Sequence, residues 1–119
     1  MEMAFRQQEW LAARQSTIAA NIANANTPGY HTMDVEPFRA VMDSTATLAA
    51  TNAAHFGALE TASIRPAMVD GQGSDRQLSK NDVEIEKEFL KSGEVMRGYS
   101  LNSQVIKSFH QMIMTVTKV

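Results

Sequence analysis

The stretch Asn21-Ile22-Ala23-Asn24-Ala25-Asn26-Thr27-Pro28-Gly29-Tyr30 decides how the chain is laid out, because it stops one long amphipathic segment and begins a reversal. Pro28 presets φ for the first central position of a tight turn, and Gly29 supplies the positive φ that a type II turn needs next. Asn24 or Asn26 is expected to end the preceding helix by entering the left-handed region. A bare Pro-Gly pair marks no more than a helix stop. Three spaced asparagines ahead of Thr-Pro-Gly-Tyr form a much rarer string.

Upstream, the spacing predicts a helix from about Met3 to Ala25, with Phe5, Leu11, Ala12, Ile18, Ala19 and Ile22 on one face. Gln8 and Gln15 interrupt that face, and polar residues in a helix seam specify register and partner number. Met3 and Trp10 fall on a different side, beside Arg14 and Asn21. A helix that is apolar on two sides is contacted on two sides. Trp10 is read as ordinary packing in preference to a specialised anchor.

Downstream, His31 to Met42 carries Asp34, Val35, Phe38, Val41 and Met42, which predicts a short extended or hairpin element tucked against a helix. From about Asp43 to Ser79 the apolar period fades, and Asp70-Gly71-Gln72-Gly73-Ser74-Asp75 reads as a turn or flexible loop. Part of this middle is expected to be disordered in a free monomer.

Asn81 is expected to open a second helix, with Glu84 in capping-box position and with Asp82, Glu84, Glu86 and Glu88 near the positive end of the helix dipole. Ile85, Tyr99, Ile106 and Ile113 then recur at multiples of seven, as do Val95, Asn102, Phe109 and Val116. Two such rows make the a/d pattern of a coiled coil. Val105 and Met112 widen the apolar arc beyond the stripe a single neighbour covers. Helical to its end, the segment spans on the order of 50 Å. Gly93 and Gly98 inside it mark close helix approach, a bend, or a weakness that neighbouring helices tolerate.

Composition narrows the functional classes. The chain has 119 residues, room for one domain, with its large apolar side chains gathered at the two ends. A net charge of −2 with interspersed signs gives no field to gather nucleic acid or an anionic membrane. Cysteine is absent, which excludes a disulfide framework and thiolate chemistry. Glu2, Arg6, Glu9 and Arg14 stand where a cleaved secretory signal would need an apolar core, and no segment reaches the ~20 apolar residues of a membrane span. His31, His55 and His110 are scattered, and the pair His31 and Asp34 lacks the further ligands a metal would require. The acidic loop from Asp70 to Asp75 lacks the remaining spacing of a calcium loop. No catalytic, cofactor or metal site is expected, and the methionines after Met1 read as interface gap-fillers or surface positions.

The Asn21–Tyr30 stretch resembles the N-terminal signature of flagellar axial proteins. Asn81-Asp82-Val83-Glu84-Ile85-Glu86, followed by Arg97-Gly98-Tyr99-Ser100-Leu101-Asn102, is similar to the C-terminal helix of flagellar rod and hook proteins. Shortness, the lack of large middle domains, and the stretch from Asp34-Val35 to Phe38 point within that family to the basal-body rod proteins of the proximal rod. The resemblance covers both ends and leaves the middle unmatched. It implies a subunit of the periplasmic flagellar rod, the shaft between membrane ring and hook, exported by the flagellar type III apparatus without signal cleavage. The partners it implies are other copies of the chain, other rod proteins, the rod-to-membrane-ring junction protein and the membrane ring. Family helices begin several residues upstream of where Met1 stands, so the chain is expected either to be trimmed or to differ in its first turns.

The expected fold is mainly α: long terminal helices pairing as a coiled coil, with a short irregular or β-containing middle. The chain divides into an N-terminal helix and turn (1–30), an extended and flexible segment (31–80) and a C-terminal helix (81–119), forming one assembly domain. Asn21, Asn24, Asn26, Thr27, Pro28, Gly29 and Tyr30 are the expected turn signature. Leu11, Ile18, Ile22, Val95, Tyr99, Asn102, Ile106, Phe109, Ile113 and Val116 are the expected helix interface. The competing reading is a small helical export chaperone or adaptor, which has no evident need for the Thr-Pro-Gly-Tyr turn.

Overall fold

The computed structural model describes residues 1–43, 66–68 and 83–118. Helix α1 spans Glu2–Ala23, strand β1 spans Met33–Val35, and a short helical segment, α2, is described over residues 38–43. Strand β2 spans Pro66–Met68, and α3 spans Ile85–Val116. The mainly helical class expected from the sequence is the class observed.

Helices α1 and α3 run antiparallel, held by a small core of Leu11, Ile18 and Val95 with Trp10 and Ile22 packed against it. Each fully buried Leu, Ile or Val contributes roughly 1.5–3 kcal/mol. Polar pairs stitch the same seam. Gln8 Nε2 donates to Tyr99 Oη at 2.8 Å, Gln15 Nε2 to Ser92 Oγ at 3.4 Å, and Asn102 Nδ2 to the Ala4 carbonyl at 2.8 Å. The glutamines that interrupt the apolar face thus meet hydroxyls across the seam and fix which turn of α1 faces which turn of α3. Of the two glycines, Gly98 faces α1: a Cβ there would stand 3.2 Å from Leu11 Cδ2, whereas one at Gly93 would meet nothing within 4 Å.

The second side of α1 is covered by the segment after the turn. Trp10 packs against Phe38 with ring centroids 5.9 Å apart and donates Nε1 to the Glu36 carbonyl at 2.7 Å. β1 pairs antiparallel with β2, Met33 opposite Met68 and Val35 opposite Pro66.

Several boundaries differ from the sequence expectation. His31 to Met42 is only half extended: β1 ends at Val35, and Pro37, whose ring fixes φ and removes a donor, leads into α2, with Val41 N–H donating to the Pro37 carbonyl at 3.2 Å. The expected opening residue Asn81 lies outside the described residues, as does Asp82. α3 starts at Ile85 with extended Glu84 as its N-cap and no side-chain cap bond, so Glu84 is not the third residue of a capping box. The acidic loop from Asp70 to Asp75 also lies outside the described residues.

Candidate functional site

The turn signature folds into a closed reversal. The Tyr30 N–H donates to the Thr27 carbonyl at 3.2 Å, and Gly29 sits at φ +78°. That is the value a type II turn requires at its second central residue. Asn24 closes α1 by a different route from the one expected. Its φ is −101°, outside the left-handed region, and its side-chain amide donates to the Ala20 carbonyl at 2.8 Å. The Ala20 carbonyl thus receives both the side-chain amide and the backbone N–H of Asn24, the latter at 3.1 Å, and the helix ends there. Thr27 Oγ1 bonds Asn24 Oδ1 at 3.2 Å, while Asn26, Thr27, Pro28 and Gly29 face solvent.

Asn21 is fully buried, with 0% exposure. Its Nδ2 donates to the Met33 carbonyl at 2.6 Å and to Glu88 Oε2 at 3.0 Å. Its Oδ1 accepts from the Met33 N–H at 3.1 Å and from Tyr30 Oη at 3.2 Å. All four hydrogen-bonding positions of the amide are used. Because it pairs with both backbone groups of Met33, Asn21 acts toward β1 as a neighbouring strand would. One helix side chain thereby sets where the chain lands after the turn.

A charged chain extends this clamp to α3. Glu88, 1% exposed, pairs with Lys91 Nζ at 3.0 Å. Lys91 reaches Asp34 at 3.4 Å, Asp34 meets Arg14 Nε at 3.3 Å, and Arg14 lies 3.7 Å from Glu94. Arg14 also stacks 5.4 Å from the Trp10 ring centroid. α1, β1 and α3 are thus tied at one place by alternating charges, of which Lys91, Asp34 and Arg14 are each paired on two sides and Glu94 ends the chain. The sequence reading placed Glu88 among the dipole-facing acids of the helix start. Its burial was signalled by the heptad row itself, since Glu88, Val95 and Asn102 are seven residues apart and are the three buried residues of α3.

The expected helix interface divides in two. Leu11, Ile18, Val95 and Asn102 are buried, and Ile22 is partly buried against them. Ile106 is half-buried, and Tyr99, Phe109, Ile113 and Val116 are exposed, Val116 at 76%. Leu90 and Met96 on the same helix reach 70% and 68%. Beside the seam runs an open, largely apolar groove of about 640 Å³, lined among others by Leu11, Ala12, Ala19, Val95, Met96 and Tyr99. Among the described residues no group of three His, Asp or Glu side chains could hold a metal ion, and no helix is long and apolar enough to cross a membrane.

Two antiparallel helices with a saturated clamp at one end and uncovered apolar surface along the other define a helical assembly subunit. The pattern of the flagella basal body rod proteins matches residues 10–31, from Trp10 through the turn. The chain is also similar to the flagellar basal body rod protein FlgB of Agrobacterium fabrum, 44% identical over 123 positions that cover 98% of this chain and 91% of that protein. The chain belongs to the flagellar basal body rod protein family. It is a structural component of the rod in the flagellar basal body, in a family not known for enzymatic activity.

Proposed function

We propose that the chain polymerises through its terminal helices into the proximal part of the rod, the periplasmic drive shaft between membrane ring and hook. Its neighbours there are other copies of itself, other rod proteins, the rod-to-membrane-ring junction protein and the membrane ring. It reaches them through the flagellar type III export apparatus without a cleaved signal peptide. The observation that carries this reading is the exposure of large apolar side chains along α3, among them Phe89, Leu101, Val105 and Met112. A monomer leaves that surface in water, and covering each such side chain in an assembly contributes roughly 1.5–3 kcal/mol. In this reading Leu11, Ile18, Ile22, Val95 and Asn102 hold the subunit together, Ile106, Phe109, Ile113 and Val116 join it to its neighbours, and Tyr99, bonded to Gln8 across the seam yet 41% exposed, serves both. Ile106→Asp or Phe109→Asp, which brings a charge into the subunit contact, is expected to abolish rod assembly and swimming while leaving the exported amount near wild type. Rods built normally by either variant would show that these residues lie outside the contact.

A further inference from the structure

We propose that Met96 and Met112 are oxidation sites: a peroxide reaching the free chain converts each thioether into a sulfoxide and so weakens the joining of the subunit to its neighbours. The inference rests on the assembly reading above and adds a chemical control over it. The chain holds eight methionines and no cysteine, so thioethers are the only sulfur that a two-electron oxidant meets. Met96 is 68% exposed and Met112 57%, whereas Met33 in β1 and Met42 in α2 are partly covered. The oxidant has to come within bonding distance of a sulfur lone pair, so the covered thioethers react later. In the reaction that lone pair attacks one oxygen of hydrogen peroxide, the O–O bond breaks and an S–O bond forms. The attacked oxygen gives its proton to the departing hydroxide, which leaves as water, and the sulfur is oxidised by two electrons.

Position gives these two sulfurs their consequence. Met112 lies on one line of α3 with Val105 seven residues before it and Val116 four after, and Phe109 stands beside them, all exposed. A sulfoxide there sets a polar, hydrogen-bond-accepting oxygen in the middle of an apolar stripe. Met96 is on the rim of the open groove between α1 and α3, with Leu11, Ala12 and Tyr99. Burying a polar atom without a partner costs free energy, so a surface that gained by being covered loses part of that gain. Met114 and Met3 are also exposed but sit among polar neighbours. Met114 has Lys107, His110 and Gln111 seven, four and three residues before it, and Met3 has Arg6 and Gln7 three and four after it. A sulfoxide at either joins a face that is already polar. The Asn21 clamp holds Met33 by its backbone groups, and the buried core is Leu11, Ile18 and Val95, so oxidation leaves the subunit folded.

The test treats the whole chain with dilute hydrogen peroxide and maps the added oxygen by peptide mass spectrometry. Met96 and Met112 are expected to be oxidised well before Met33 and Met42, with the urea midpoint read from Trp10 fluorescence unchanged. In sedimentation the oxidised chain should associate about tenfold more weakly than the untreated one, and methionine sulfoxide reductases for both epimers should restore it. Met96→Leu with Met112→Leu, a volume-conserving change, should associate as the wild type does and keep that association after peroxide. Met3→Leu with Met114→Leu should lose it as the wild type does. Untreated chains that stay monomeric would overturn the assembly reading itself, and the proposal with it. Oxidation that spares Met96 or Met112, leaves association unchanged, lowers the urea midpoint, or weakens the Met96→Leu, Met112→Leu chain as much as the wild type would overturn the proposal and leave that reading standing.

Discussion

The two ends of α3 solve opposite problems. Near its start, Glu88 is taken out of water and compensated on every side, by Asn21 and Lys91, with Asp34 and Arg14 beyond. Towards its end, Phe109, Met112, Ile113 and Val116 are left between 40% and 76% exposed. Buried polar groups cost free energy unless fully paired, and such networks are retained where they fix one arrangement over others. Exposed apolar side chains cost nothing structural in the monomer and gain when another surface covers them. The difference teaches that the clamp determines the shape of the subunit, whereas the far end is the surface that the proposed assembly would cover. Substitutions can set the two ends against each other.

The largest effect on stability is expected at the clamp. Asn21→Leu leaves both backbone groups of Met33, the Tyr30 hydroxyl and the Glu88 carboxylate short of a partner in a fully buried place. Breaking such a site costs about 3–5 kcal/mol, to be read from urea unfolding followed by the fluorescence of Trp10, the single tryptophan. Phe109→Asp, at the exposed end, should change the same midpoint by less than about 0.5 kcal/mol. If the two variants unfolded alike, the division of labour between the ends of α3 would be wrong.

A smaller effect is expected where the helices touch. Gly98→Val places two methyl groups where even a Cβ would stand 3.2 Å from Leu11 Cδ2. Overpacking of this kind costs about 1–3 kcal/mol. Gly93→Ala, with open space around it, should stabilise α3 by up to ~1 kcal/mol through helix propensity alone. Opposite signs at two glycines five residues apart would locate the close approach at Leu11. Equal signs would mean that the helices are not in contact there.

Which parts of this were legible beforehand follows from how local the determining interactions are. The turn was readable because Pro28 and Gly29 each impose a backbone angle by their own chemistry. The heptad rows of α3 were readable because their period survives over many turns. Glu88 stands in the first turn of α3, where the charge pattern puts it, but its burial is signalled only by its position in the row that continues into Val95 and Asn102. Asn21 was included in the signature, but its partner Met33 lies across the turn, and no local pattern announces that a helix amide will stand in for a strand. β2 was missed for the same reason: three residues, Pro66-Ala67-Met68, are too few to show alternation, and their pairing is with residues more than thirty positions away. The heptad rows do not say which of their residues α1 covers; the fold buries Val95 and Asn102 and leaves Phe109 and Val116 exposed.

The finest test of the comparison lies in the turn between the two helix partners of the clamp. At Gly29 the φ of +78° strains any residue with a Cβ, by about 1–2 kcal/mol, and least for asparagine, which tolerates the left-handed region. A Cβ there meets no neighbour within 4 Å, so the cost is backbone strain without a clash. Gly29→Val should therefore be less stable than Gly29→Asn by roughly 1 kcal/mol, and the strain has one route of relief, which is to redirect the chain after Tyr30. That route is opposed by Asn21, which grips Tyr30 and Met33 together. Combining Gly29→Val with Asn21→Leu should accordingly cost less than the sum of the two single variants, since the released chain no longer has to hold the strained turn. Strict additivity in this double-mutant cycle, measured by urea unfolding, would show that the turn and the clamp act separately and that the signature is only a helix stop followed by an unrelated strand.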